Sequence, residues 1–146
     1  MIVADANLLA YLVMPGERTD EAEAVLSRDP AWAAPTLWRS ELRSVVHKYL
    51  LRGDLTVTRA LAILEQAAEV IGGREADVDS RTVLELATRS KCSTYDCEYV
   101  ALTLARVRAG TSGEVCPGHH GGRTVTAHPS HELFRRLRLR RNRRRS

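Results

Sequence analysis

Residues 36–51 carry Trp38, Leu42, Val45, Val46 and Tyr49 at i, i+4, i+7, i+8 and i+11, a stripe that only a helix keeps on one face. Shorter apolar runs stand on either side of helices of this kind. Ile2-Val3-Ala4 ends at Asp5, and Ala31-Trp32-Ala33-Ala34 lies between Pro30 and Pro35. Both are too short for a packed helix and read as buried strands. A helix over 7–13 is closed by Pro15-Gly16, and a second, over 17–28, places Ala22, Val25 and Leu26 at helical spacing. Beyond Gly53, N-cap candidates between Asp54 and Thr58 open a helix whose expected inward face is Leu61, Leu64, Ala68 and Ile71, and Gly72-Gly73 stops it. A short strand over 76–78 and helices over 80–89 and 94–108 complete the pattern. Short strands alternating with longer amphipathic helices imply an α/β fold, a short, mostly parallel sheet flanked by helices. In such sheets ligands gather at the carboxyl ends of the strands, where Asp5 stands.

The chain of 146 residues suits one domain with a core of its own. Hydrophobic residues make up 44% and aromatic ones only 5%, so that core is aliphatic. No apolar run reaches the roughly 18 residues of a membrane span. The start has no basic n-region and meets Asp5 before an apolar h-region can form, so no secretory signal is read there. Cys92, Cys97 and Cys116 are odd in number and without disulfide-like spacing, and reduced thiols fit a cytoplasmic protein, the expected location. The net charge of +4 divides unevenly: residues 135–146 hold eight arginines, leaving 14 basic against 18 acidic residues, net −4, in 1–134. The basicity is a tail property, and no generally basic nucleic-acid-binding face is read from the body of the chain.

Three carboxylates stand out: Asp5 after the first strand, Glu41 within the helix of the opening stripe, and Asp96 at the start of a later helix. Mg²⁺ and Mn²⁺ take hard oxygen ligands, and metal-assisted phosphodiester hydrolysis needs acids that are distant in sequence but convergent in space. Each also has a purely structural reading. Asp5 can cap the following helix. Ser93-Thr94-Tyr95-Asp96 has the form of a capping box. Glu41 shares a stripe with Trp38 and Val45, where a carboxylate without a cation is poorly solvated. His47 and Cys92 read as ordinary helix or loop residues, and Cys97 as packing beside Val100, Ala101 and Leu104.

The local contexts of the three acids resemble one family as a set. Ile2-Val3-Ala4-Asp5-Ala6-Asn7 resembles the opening of PIN domains, Ala34-Pro35-Thr36-Leu37-Trp38-Arg39-Ser40-Glu41-Leu42 their Pro-then-Glu helix, and Ser93-Thr94-Tyr95-Asp96-Cys97-Glu98-Tyr99-Val100-Ala101-Leu102 their third acidic motif. The resemblance covers roughly residues 1–107. It implies a PIN-like three-layer sandwich and a ribonuclease of the VapC type, the toxin of a type II toxin–antitoxin pair. Such a protein dimerises, binds Mg²⁺ or Mn²⁺, cuts RNA (tRNA or rRNA being the expected substrates) and is inhibited by a cognate antitoxin. Asp5 and Asp96 then become the principal metal ligands and Glu41 a ligand or water-positioning group. Asn7 and Thr94 become the residues that orient these carboxylates.

The PIN-like domain is expected over 1–134, with 108–134 departing from the family pattern. Family members continue into a strand ending in a fourth acid, whereas here Val125-Thr126-Ala127 is followed by His128, a poorer partner for Mg²⁺. Three accounts of the segment stand open: an insertion with a true substitution at His128, a zinc site from Cys116, His119, His128 and His131, or translation out of the ancestral frame. The first leaves a catalytically impaired protein that only dimerises or binds an antitoxin as the alternative to an active nuclease. A receiver-like phosphoacceptor domain is disfavoured, because it needs paired acids after the first strand and a Lys after a late one. The tail 135–146 reads as a solvated, disordered end, with contacts to RNA phosphates as the alternative.

Overall fold

The structure, a computed structural model, describes residues 1–111. Three strands, β1 (Ile2–Val3), β2 (Trp32–Pro35) and β3 (Glu75–Ala76), form a parallel sheet in the order β1-β2-β3. Ile2 lies opposite Trp32 and Val3 opposite Ala33, while Ala34 and Pro35 face Glu75 and Ala76. Helices α1 (Ala6–Val13) and α2 (Thr19–Arg28) carry the chain from β1 to β2, and α3 (Trp38–Arg52) and α4 (Val57–Ile71) carry it from β2 to β3. Helices α5 (Ser80–Ser90) and α6 (Thr94–Thr111) follow. The α/β class and the parallel sheet expected from the alternation are therefore present. No helix of the described residues is long and apolar enough to cross a membrane.

Parallel strands need long crossovers, and strands buried on both faces read as unbroken apolar runs. Strand β2 is the clear case. All four of its residues are buried, Trp32 and Ala34 within the main core and Ala33 on the opposite face of the strand. The main core adds Leu9 and Val13 of α1, Trp38, Leu42 and Val46 of α3, and Ala60, Ile63, Ala67 and Ile71 of α4. A separate small cluster joins Val83 of α5 to Cys97 and Ala101 of α6, with Val78 packed against it.

The local signals work as their chemistry predicts. Gly53 ends α3 with φ +78°, a left-handed conformation that costs glycine little, and Thr56 caps α4 by accepting from the Arg59 N–H at 3.3 Å. Several details depart from expectation, among them Tyr49, which belongs to the apolar stripe of α3 but is 37% exposed. The buried face of α4 is centred on Ala60, Ile63, Ala67 and Ile71, while Leu64 and Ala68 are half-buried and Leu61 is 55% exposed. Helical spacing accommodates both sets, and the alanine-bearing one lets α4 approach β2, α1 and α3 closely. Strand β3 lies one to two residues earlier than 76–78. Its ladder ends at Ala76, where Asp77 leaves the sheet to accept from the Thr36 hydroxyl at 3.0 Å, and Val78 turns to the small cluster instead.

Candidate functional site

Asp5 follows β1 directly. Its backbone is extended (φ −84°, ψ 168°) and its Oδ1 accepts from the Leu8 N–H at 2.7 Å, so it is the N-cap of α1. Glu41 lies in the first turn of α3, six residues beyond the end of β2. Asp96 lies in the first turn of α6. All three acids thus stand at helix N-termini, whose partial positive charge offsets some of their mutual repulsion. For Asp5 and Asp96 the structural readings hold as geometry: the Asp96 N–H donates to Ser93 Oγ at 3.1 Å, and the Ser93 hydroxyl donates to Asp96 Oδ2 at 2.8 Å.

Glu41 brings the three together. It is half-buried, and its carboxyl is pushed above the usual carboxylate range, first by burial and then by the charges of Asp5, Asp96 and Glu98. Tyr99 pulls the other way, its phenol donating to Glu41 Oε2 at 2.5 Å. The Tyr99 phenol is itself pushed far upward, by burial first, then by its bond to Glu41 and by the charges of Glu41 and Asp5. Acids 36 and 91 residues beyond Asp5 in the chain therefore share one electrostatic neighbourhood with it.

A polar brace sets where α3 begins. Arg39 forms a two-pronged pair with Glu75, its Nε donating to Oε2 at 2.9 Å and its second prong reaching Oε1. The same guanidinium lies 4.8 Å over the Trp38 ring. With the Thr36–Asp77 bond, it ties the start of α3 to the end of β3. Trp38 is buried one helical turn before Glu41, so the brace and the core together fix the height of Glu41 above the sheet.

The acids are gathered rather than closed into a shell: among the described residues no group of three or more His, Cys, Asp or Glu side chains is disposed to hold a metal ion. The donor chemistry nevertheless suits a hard divalent cation, since these are carboxylate oxygens and one of them is poorly tolerated as a bare charge. Asn7 is exposed on the first turn of α1, and Thr94 is exposed at the start of α6. The hydroxyl that meets Asp96 belongs to Ser93, one residue upstream of Thr94. Tyr99 and Glu98 join the site without having been assigned roles from sequence, and Ser93 joins it as the first residue of the expected capping box. Tyr99 carried a usable signal, because at three residues beyond Asp96 it falls on the same helical face. Val125 to His128, the zinc candidates Cys116, His119, His128 and His131, and the tail 135–146 lie outside the described residues.

Neither the protein-family models nor the curated proteins searched give a match to this chain.

Proposed function

We propose that the chain is a PIN-type, VapC-like endoribonuclease dependent on Mg²⁺ or Mn²⁺, a three-layer α/β sandwich acting as a homodimer and inhibited by a cognate antitoxin. One observation carries this reading: Glu41 is half-buried and electrostatically coupled to both Asp5 and Asp96, at the carboxyl end of a parallel sheet. A site evolved only for stability has little use for a half-buried carboxylate facing further acids.

Asp5, Asp96 and Glu41 are the residues that would hold the cation. Once bound, it supplies an activated water and neutralises the leaving oxygen of the scissile phosphodiester. The chain's own contribution is placement. The α1 cap fixes Asp5, the Ser93 box fixes Asp96, and Tyr99 fixes Glu41. Without a cation these acids repel an RNA phosphate, so substrate approach and metal loading are linked.

The test is cleavage of tRNA and rRNA by purified protein with and without Mg²⁺ or Mn²⁺, beside Asp5→Asn and Asp96→Asn. Metal-dependent cutting is expected, lost by more than about a hundredfold in each variant, beyond the range typical of changes one shell away from a metal. Cutting that survives both substitutions overturns the proposal. The second reading, a PIN-like protein that binds partners without cutting, is favoured by one sequence observation: His128 follows Val125-Thr126-Ala127 where the family pattern has an acid. Under that reading the wild type is inert, and His128→Asp restores metal binding and cleavage.

A further inference from the structure

We infer that Tyr99 is the positioning residue of this site, committing one oxygen of Glu41 so that Glu41 offers a cation a single oxygen, which favours small octahedral ions over Ca²⁺. The inference rests on the proposed metal-dependent function and names a device within it. The phenol of Tyr99 comes from α6, and it donates to Glu41 Oε2, on α3, across 58 residues of chain. Tyr99 is half-buried and its backbone carbonyl accepts from the Thr103 hydroxyl at 2.8 Å, so the phenol projects from a helical turn that is itself tied down.

A carboxylate oxygen that already accepts from a hydroxyl is a weaker metal ligand, and chelation through both oxygens is disfavoured. Ca²⁺ accepts carboxylates through one or both oxygens and tolerates irregular shells, whereas Mg²⁺ demands near-octahedral geometry at short distance and is bound through single carboxylate oxygens and water. A Tyr–Glu bond of this kind therefore sets orientation and denticity together. It also explains why a tyrosine serves here better than a lysine or arginine. A cation at this position would neutralise Glu41 and compete with the metal, while a neutral donor holds it without cancelling its charge.

The test uses the full chain. Titration calorimetry of wild type and Tyr99→Phe with MnCl₂ and with CaCl₂ reads both affinities, and Phe retains the ring and its packing. The expected result is Mn²⁺ binding about tenfold weaker in Tyr99→Phe, with Ca²⁺ binding unchanged or tighter, so that the Mn²⁺/Ca²⁺ affinity ratio falls about tenfold or more. A purely structural role lowers both affinities together and leaves the ratio unmoved, which overturns the inference, as does an unchanged Mn²⁺ affinity. A wild type that binds no Mn²⁺ overturns the proposed function and this inference with it. If Tyr99→Phe does not fold, wild type labelled with ¹³Cζ-tyrosine decides. The Tyr99 resonance, assigned by separate Phe changes at Tyr11, Tyr49 and Tyr95, moves on addition of Mg²⁺, and a stationary resonance overturns the inference.

Discussion

Around α1, α3 and α4 the interior is deep: Leu9, Trp32, Trp38, Leu42, Ile63 and Ile71 are all essentially inaccessible. Between α5 and α6 it is shallow: among the described residues the buried cluster there is Val83, Cys97 and Ala101, with Val78, Leu86 and Ala87 at its margin. Asp5 and Glu41 are mounted on the deep part, Asp96 and Tyr99 on the shallow one. The site is the seam between them, and the Tyr99–Glu41 bond crosses it. The difference teaches how a small α/β domain can be firm and adjustable at once. Two of the three acids, Asp5 and Glu41, are carried by the deep core, and the third, Asp96, rides on a helix pair with a shallow one, the kind of element that opens at low free energy.

The largest effect that can break this comparison is on stability. Ile63→Ala, in the deep core and away from the acids, is expected to cost about 2–5 kcal/mol, the usual range for emptying such a position. Val83→Ala removes two buried methyl groups at ~0.8 kcal/mol each and is expected to cost about 1.5 kcal/mol. Urea unfolding of both variants measures the difference, and equal costs would erase the distinction between the two regions.

A smaller and more selective contrast separates two acids of similar local geometry. Asp79 caps α5, accepting from both the Thr82 N–H and its hydroxyl at 2.8 Å, and those bonds hold its carboxyl below the usual range. Asp79→Ala is therefore expected to lower the melting temperature while leaving RNA cleavage by the folded protein intact. Asp96→Asn, which keeps an oxygen for the Ser93 hydroxyl, is expected to do the reverse. Melting curves and a cleavage assay run side by side would show the two acids exchanging these phenotypes if the site had been misplaced.

The smallest effect sharpens the seam itself. Because the Glu41 carboxyl is raised in the folded protein, its contribution to stability is fully present below the unfolded carboxylate pKa and is lost as pH rises through the folded one. At neutral pH an ionised Glu41 thus weakens the metal-free fold. Glu41→Gln is expected to melt slightly higher than wild type at neutral pH, with the gap closing as the pH falls through the carboxylate range. A Gln variant that melts lower at neutral pH would show instead that the Tyr99 bond outweighs burial.

Much of the fold was legible because its signals are local. Proline and glycine bound the elements at Pro35, Gly53 and Gly72, and the stripe over 38–49 named Trp38, Leu42 and Val46 of the buried face of α3, though its Val45 is half-buried and its Tyr49 exposed. The face of α4 was less legible, since alanines and leucines share the same helical spacing and only neighbouring elements choose between them. At the site, the acids at 5, 41 and 96 and the Ser93–Asp96 capping box could be singled out by type and context, whereas Tyr99 as the partner of Glu41 depends on how α3 and α6 pack.

What the sequence alone determined, then, is the order of strands and helices, the caps, and the three acids as candidates, because each depends on neighbours within a turn or two. Tertiary structure alone decided that Glu41 is half-buried beside Asp5 and Asp96, and that a tyrosine 58 residues away holds it. Burial and charge coupling are properties of distance through space. A chain acquires them only when α3 and α6 are brought together at the end of the sheet.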